Sequence, residues 1–369
     1  MPRNDTTARR QPAAQAGPAP QALGRRARSL RPALLVLCLA SAASLIACCM
    51  IGPLDIPADQ VLKALSHKLG IARSDLAPNV LAVVADIRAP RVCLAFLTGA
   101  CLAMAGVVFQ AILQNPLADP FTIGVSTGSA FGASLAIFLG LTGSGALLGL
   151  GLLPLAALAG GSAALAAVVI LGRNAGGLGR DSLVLGGIIV STFLAALISL
   201  LKSLDEESLP AIVFWLMGGF AGRSWAHVAL LAPLAALGAA AAALWSRELD
   251  LLCLGDAQAR AMGVNTARAR LVLLVAASLL TAAAVSVSGV IGFVGLVAPH
   301  AVRLMLGAAN RPLLAFSALL GGMTLVWSDA LARTVLSQGR ELPVGVVTAL
   351  VGGPVFCLLL ARRNRESRP

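Results

Sequence analysis

Apolar runs of about twenty residues, separated by short polar stretches, dominate the chain from residue 33 onward. A spanning helix needs about 20 predominantly apolar residues, and runs near that length fall at about 33–51, 91–110, 121–140, 150–171, 183–201, 226–245, 271–289, 291–308, 313–332 and 342–360. This pattern predicts an all-α membrane protein, a polytopic bundle of about ten transmembrane helices with both termini on one side. Two of the predicted spans abut through a tight glycine turn at Gly289 to Gly292.

The polar stretches carry the next layer. Residues 1–31, rich in Pro, Ala, Gln and Arg without apolar period, are expected to be a disordered arginine-rich tail, and 364–369 a short C-terminal one. Between them, 32–363 reads as one ten-helix membrane domain. The run after Arg31 has a basic front like a signal peptide, but it is long for a signal core, and Cys48-Cys49-Met50 is a poor cleavage site, so a retained first helix is expected. The segment IPADQVLKALSHKLG (Ile56 to Gly70) has helical spacing and predicts a surface helix.

The longest polar interruption in the second half is LDLLCLGDAQARAMGVNTARAR, Leu249 to Arg270. Asp256 is expected to cap a short helix over Ala257 to Met262, and Gly263 to end it in a left-handed conformation. Asn265 or Thr266 is then expected to cap a second short helix carrying Arg268 and Arg270. Two capped helices between spans make a compact knob.

Composition confirms the membrane class: 58% of residues are hydrophobic and only 12% charged, against roughly a quarter charged in soluble domains. The net charge of +12 does not indicate nucleic acid, because the arginines gather at chain ends and between apolar runs instead of on an aromatic-interleaved face. They act as topology signals. With a cytoplasmic N-terminus, most of them, including Arg25, Arg26, Arg173, Arg247, Arg260, Arg268, Arg311 and Arg362, fall inside, which places the knob and both termini in the cytoplasm.

No lysine follows a glycine-rich G-x-x-x-x-G-K loop, so any ATP chemistry must come from another chain. The seven cysteines include no C-x-x-C pair and read as small hydrophobes; His67 and His227 have no ligand-spaced neighbours, and neither a metal site nor a cofactor is expected. Gly124-Val-Ser126-Thr-Gly128 matches the hydrolase elbow G-x-S-x-G, but it opens a membrane helix and has no histidine partner, so small-residue packing explains it better. Within GFVGLVAPHAVR, His300 and Arg303 are ionisable groups at a span and candidates for transmitting motion. Near the opposite end, Arg88, Arg91 and Arg333 offer guanidinium forks suited to carboxylates of an acidic partner, or to anchoring helix ends at head groups. A secondary transporter would need buried acids for ion coupling, and Asp329 is the main candidate.

Four ordered stretches, RAPRVCLAFLTGACLAMAGVVFQAILQNPLADPFTIGVSTGSAFG (Arg88 to Gly132), LCLGDAQARAMGV (Leu252 to Val264), GVIGFVGLVAPHAVR (Gly289 to Arg303) and ELPVGVVTALVGGPVF (Glu341 to Phe356), together resemble permease subunits of the iron-siderophore, haem and cobalamin ABC importers. The resemblance implies a non-enzymatic permease of the inner membrane. Such a permease would work as a homodimer or beside a second permease, driven by two cytoplasmic ATPase subunits and supplied with a metal chelate by a periplasmic or lipid-anchored binding protein. Leu254, Gly255, Asp256, Ala257, Arg260, Met262, Gly263 and Val264 would couple to the ATPase, while Arg88, Arg91 and, less directly by motif, Arg333 would dock the binding protein. The fifth and tenth helices would line the path. A gate would lie at Gly176 to Ser182, with Arg180, Asp181 and Ser182 as its candidates, although Arg180 and Asp181 depart from the small hydroxyl residues at the cobalamin member's gate.

Overall fold

The computed structural model describes residues 20–52, 54–72, 75–141, 143, 150–307, 309–336 and 340–366. Among these the chain is helical throughout. Seven helices are long and apolar enough to cross a membrane: α1 (Pro20–Met50, its apolar part Leu30–Met50), the continuous helix Pro78–Ile112, α6 (Leu153–Asn174), α7 (Arg180–Leu204), α9 (Trp225–Leu244), α12 (Thr266–Ser288) and α14 (Asn310–Thr334). Three shorter apolar helices complete the expected set: α5 (Val125–Phe138), α13 (Val294–Leu306) and α15 (Val344–Glu366), apolar to Cys357.

The differences from the sequence reading have local causes. The helix expected to start near residue 33 begins at Pro20, because the Ala-, Leu- and Arg-rich segment that follows is made of good helix formers and proline suits the first helical turn. The helix thus takes in 20–31, the last part of the expected tail, and 1–19 lie outside the described residues. At the other end α15 runs on to Glu366, so 364–366 continue the helix, and 367–369 lie outside the described residues. The expected surface helix is α2 (Ala58–Lys68).

The Pro78–Ile112 helix comprises α3 (Pro78–Ala82), a π-helical segment (Val83–Arg88) and α4 (Ala89–Ile112). The wide turn shifts the ladder just before Pro90, which has no amide hydrogen to donate. The indole nitrogen of Trp225 donates to the Ala85 carbonyl there at 2.8 Å. Lys68 pairs with Asp86 at 2.9 Å and stands over the same Trp225 ring.

The turn at Gly289 to Gly292 is more than a tight reversal. Gly289 ends α12 with φ 69°, and a Cβ there would stand 2.3 Å from the Trp215 carbonyl oxygen. The chain reaches α13 only at Val294, after Phe293 at φ 67°. Trp215 belongs to α8 (Leu209–Leu216), a short apolar helix lying within what the hydropathy pattern left as a loop.

The core is built around α4 and α12, which pack on α14 and α9 and are mostly buried, whereas α7 and α9 keep broad apolar faces exposed. Small residues let the backbones approach where no hydrophobic drive exists between helices. A Cβ on Gly106 would stand 1.8 Å from the Gly295 carbonyl oxygen of α13. Gly106→Ala is therefore expected to lose about 1–3 kcal/mol or more to overpacking, whereas at Gly143, with nothing within 4 Å, alanine should leave thermal unfolding in detergent unchanged.

Candidate functional site

The two ends of the bundle are built differently. At one end the knob is a chain of caps. It begins with α10 (Ser246–Leu252), turns at Gly255 with φ 101°, and continues in α11 (Asp256–Ala261). Gly263, at φ 85°, and Val264 donate to the carbonyls of Arg260 and Ala259 at 2.9 and 3.0 Å. That pair of bonds is a Schellman ending and needs a left-handed residue at Gly263. Asn265 accepts the Arg268 amide at 3.0 Å and caps the following helix.

Two details correct the sequence reading. The helix capped by Asn265 is the 23-residue span α12 itself, not a separate short one, because the apolar run from Leu271 continues it without a break. Asp256 is not the cap: it opens α11, and its carboxylate receives Arg270 Nη2 at 2.6 Å and Nη1 at 3.2 Å. Arg270, buried at the start of α12, holds the Asp256 carboxyl below the usual carboxylate range through these bonds. The knob is thus clamped to the span that follows it.

Two large apolar side chains stand on its exposed surface. Leu254 is 55% and Met262 62% exposed, with Ala257, Arg260 and Gly263 exposed beside them and Gly255, Asp256 and Val264 half-buried. Underneath, Ala259 is buried, and Gln114, at φ 47°, donates to the Leu252 carbonyl at 3.0 Å. Asp250 receives both the backbone and side-chain nitrogens of Asn310 at 2.8 Å, tying α10 to the first turn of α14. Arg303 lies within electrostatic reach of Cys253, with Nε and Nη2 buried and unbonded, so the structure brings it to the base of the knob; His300 is half-buried one turn earlier on α13. Sequence reasoning missed Gln114, Asp250 and Asn310, whose partners lie 138 and 60 residues away.

Arg180, Asp181 and Ser182 form the first turn of α7 instead of a loop. Arg180 and Asp181 are exposed, and an acidic residue in the first turn suits the helix dipole. From there Leu185 and Phe193 stand exposed along α7, as do Leu350 and Val351 along α15.

At the opposite end the arginines are not open forks. Arg88, Arg91 and Arg333 are all buried. Arg88 donates to the carbonyls of Cys49 and Met50, each at 3.1 Å, and to that of Leu54. Arg333 donates to Ile51 at 2.9 Å and Cys48 at 3.3 Å. The last carbonyls of a helix have no partner within it, and in a membrane they must find one. Cations from two other helices therefore close the end of α1.

Arg91 is held by both Asp329, at 2.8 Å, and Glu341, at 2.9 Å, and Arg333 reaches Asp329 from the other side at 3.1 Å. Asp329, fully buried, is locked between two guanidinium groups. Ser126 is buried with no hydrogen-bond partner, so the hydrolase geometry of a nucleophile bonded to a base is absent among the described residues.

A knob held by its own caps at one end and a largely buried charge cluster at the other are joined by closely packed spans. The family model described as the FecCD transport family matches residues 35–362. The chain belongs to the FecCD transport family. Among relatives within it, an uncharacterised ABC transporter permease, YvrB of Bacillus subtilis (strain 168), is 42% identical over 86% of this chain and 90% of its own length. The cobalamin import permease BtuC of Halobacterium salinarum is 41% identical over 78% of this chain and 74% of its own. A solved structure described as an inward-facing conformation of a metal-chelate type ABC transporter superposes with a TM-score of 0.78 at 34% identity, covering 90% of this chain and 99% of that one. FecCD membership spans all the helices that carry the knob and the charge cluster.

Proposed function

We propose that this FecCD-family chain is the permease subunit of an ATP-binding cassette importer of the bacterial inner membrane. It moves a metal chelate, a ferric siderophore foremost, from a periplasmic or lipid-anchored binding protein to the cytoplasm. Two permease copies, or this chain and a second permease, form the path along α7 and α15, whose exposed apolar faces support that reading. Two ATPase subunits grip the knobs, and the arginine distribution puts the knob end and both termini in the cytoplasm.

The observation that carries the reading is the exposed Leu254 and Met262 at the two ends of α11, a helix fixed by its own caps and by the Asp256–Arg270 pair. Such a knob transmits displacement because packed interfaces switch between discrete arrangements instead of deforming continuously. Arg303 at its base passes the shift to α13. Arg88, Arg91 and Arg333 serve the binding protein by fixing the outer end, while Glu341 and the exposed Arg340 and Lys63 supply charge at the surface.

The test is uptake by the complete complex in vesicles against a panel of ferric siderophores, haem and cobalamin. ATP-driven uptake of at least one chelate, insensitive to a proton ionophore at constant ATP, is the expected result. Uptake that collapses with the ionophore would make the protein an ion-coupled secondary transporter.

A further inference from the structure

A cleft of about 410 Å³ opens at the charge-cluster end, bounded by α8, the turn Gly218 to Arg223 and the approach to α15. Its walls are mostly apolar, with Ile137, Leu153, Phe214, Trp215 and Phe220 among them. Three charged side chains also line it: Arg91, Glu341 and Arg223. Arg91 and Glu341 neutralise each other, and Asp329 backs Arg91. Arg223 has no carboxylate partner among the described residues, and its Nε is buried without an acceptor.

Its polar neighbour His227 does not compensate its charge. His227 Nε2 lies 3.3 Å from Arg223 Nη1, while His227 Nδ1 accepts the Ser224 amide in the capping box of α9. Whichever ring nitrogen carries its proton, an imidazole brings Arg223 no negative charge. Trp215, on the facing wall, also has its indole N–H without an acceptor. The cleft thus combines an apolar body-sized space with donors and one uncompensated positive charge, and a desolvated charge is costly unless something pairs with it.

We propose that Arg223 is the anion-recognising residue of the entry cleft, and that the transported chelate carries a carboxylate on an apolar body. This rests on the importer reading above and narrows its substrate class. Arg223 selects by charge, because a guanidinium fork matches a carboxylate bidentately, while the aromatic wall takes the apolar part.

The test uses the intact permease–ATPase complex in lipid nanodiscs, with haem and its dimethyl ester as probes: one body with and without carboxylates. Background is taken from empty nanodiscs. The complex is expected to bind haem about tenfold more tightly than the ester, the size of one charge-assisted contact. Arg223→Gln should erase that difference and leave ester binding unchanged, and Arg223→Lys should keep part of it. Equal affinities in the unaltered protein, or a preference that survives Arg223→Gln, overturn the proposal. So does loss of a bound anionic phospholipid in Arg223→Gln, seen by native mass spectrometry, with the haem-to-ester ratio unchanged, since the lipid headgroup is then the ligand. Failure of the importer reading shows separately, as absence of ATP-driven uptake of every chelate.

Discussion

Replacing Asp329 with alanine is expected to lower the stability of the detergent-solubilised protein by about 3–5 kcal/mol, the range for removing one member of a buried charge cluster. Asp329 is fully buried and accepts from Arg91 on α4 and Arg333 on its own helix. Without it two guanidinium groups face each other across a desolvated gap. Arg333 keeps its bonds to the carbonyls of Cys48 and Ile51, so it cannot swing away without uncapping α1. Glu341 offers the internal control, because it meets the same Arg91 with its side chain 29% exposed. Water screens that pair, and Glu341→Ala should lose no more than about 1 kcal/mol. Thermal unfolding of both variants decides the matter: equal shifts would mean that the cluster is not the fastening point of the outer end. Asp329→Asn should fall between them, since it keeps the shape and loses the charge.

The same cluster shows how far the sequence could be read. Hydropathy placed the ten apolar segments, since the bilayer fixes the length of a span whatever it packs against. It missed α8, whose eight residues are too few to register as a span. An arginine near a span end reads identically whether it faces water or the end of another helix. Arg88 finds its acceptors 34, 38 and 39 residues away and Arg91 its acids 238 and 250 residues away, so their burial is a property of the tertiary structure alone. Gly52 leaves only a retrospective trace: a Cβ there would stand 2.8 Å from the Arg88 guanidinium carbon. The knob was more legible because its signals are local. Gly263 and Asn265 act on neighbours within four residues, and both do what their chemistry requires. Asp256 was misread because a carboxylate at a helix start suits a cap equally well, and its partner Arg270 lies a full helix further on.

Leu254→Asp combined with Met262→Asp is expected to leave the permease folded in the membrane but without ATP-driven transport. Both side chains are more than half exposed and neither supports the knob from within, where Ala259 and Leu252 are buried. Folding should therefore be indifferent to the change. A protein partner gripping the knob would bury the pair at the centre of its contact, where such anchors are worth about 2–4 kcal/mol each, roughly a thirty- to thousand-fold loss in affinity. Two introduced carboxylates add desolvation with no partner, so the loss should lie at the upper end. Arg270→Leu separates contact from rigidity, because it leaves the exposed surface intact while removing the clamp on Asp256. That variant should still bind the ATPase, with reduced transport per ATP hydrolysed, since a loosened knob absorbs displacement that a fixed one passes on. Co-purification of the ATPase measures the contact, and the ratio of chelate moved to ATP consumed measures the transmission. Undiminished co-purification of the Leu254→Asp, Met262→Asp variant would remove the knob as the docking element and shift the search to Arg180 and the first turn of α7.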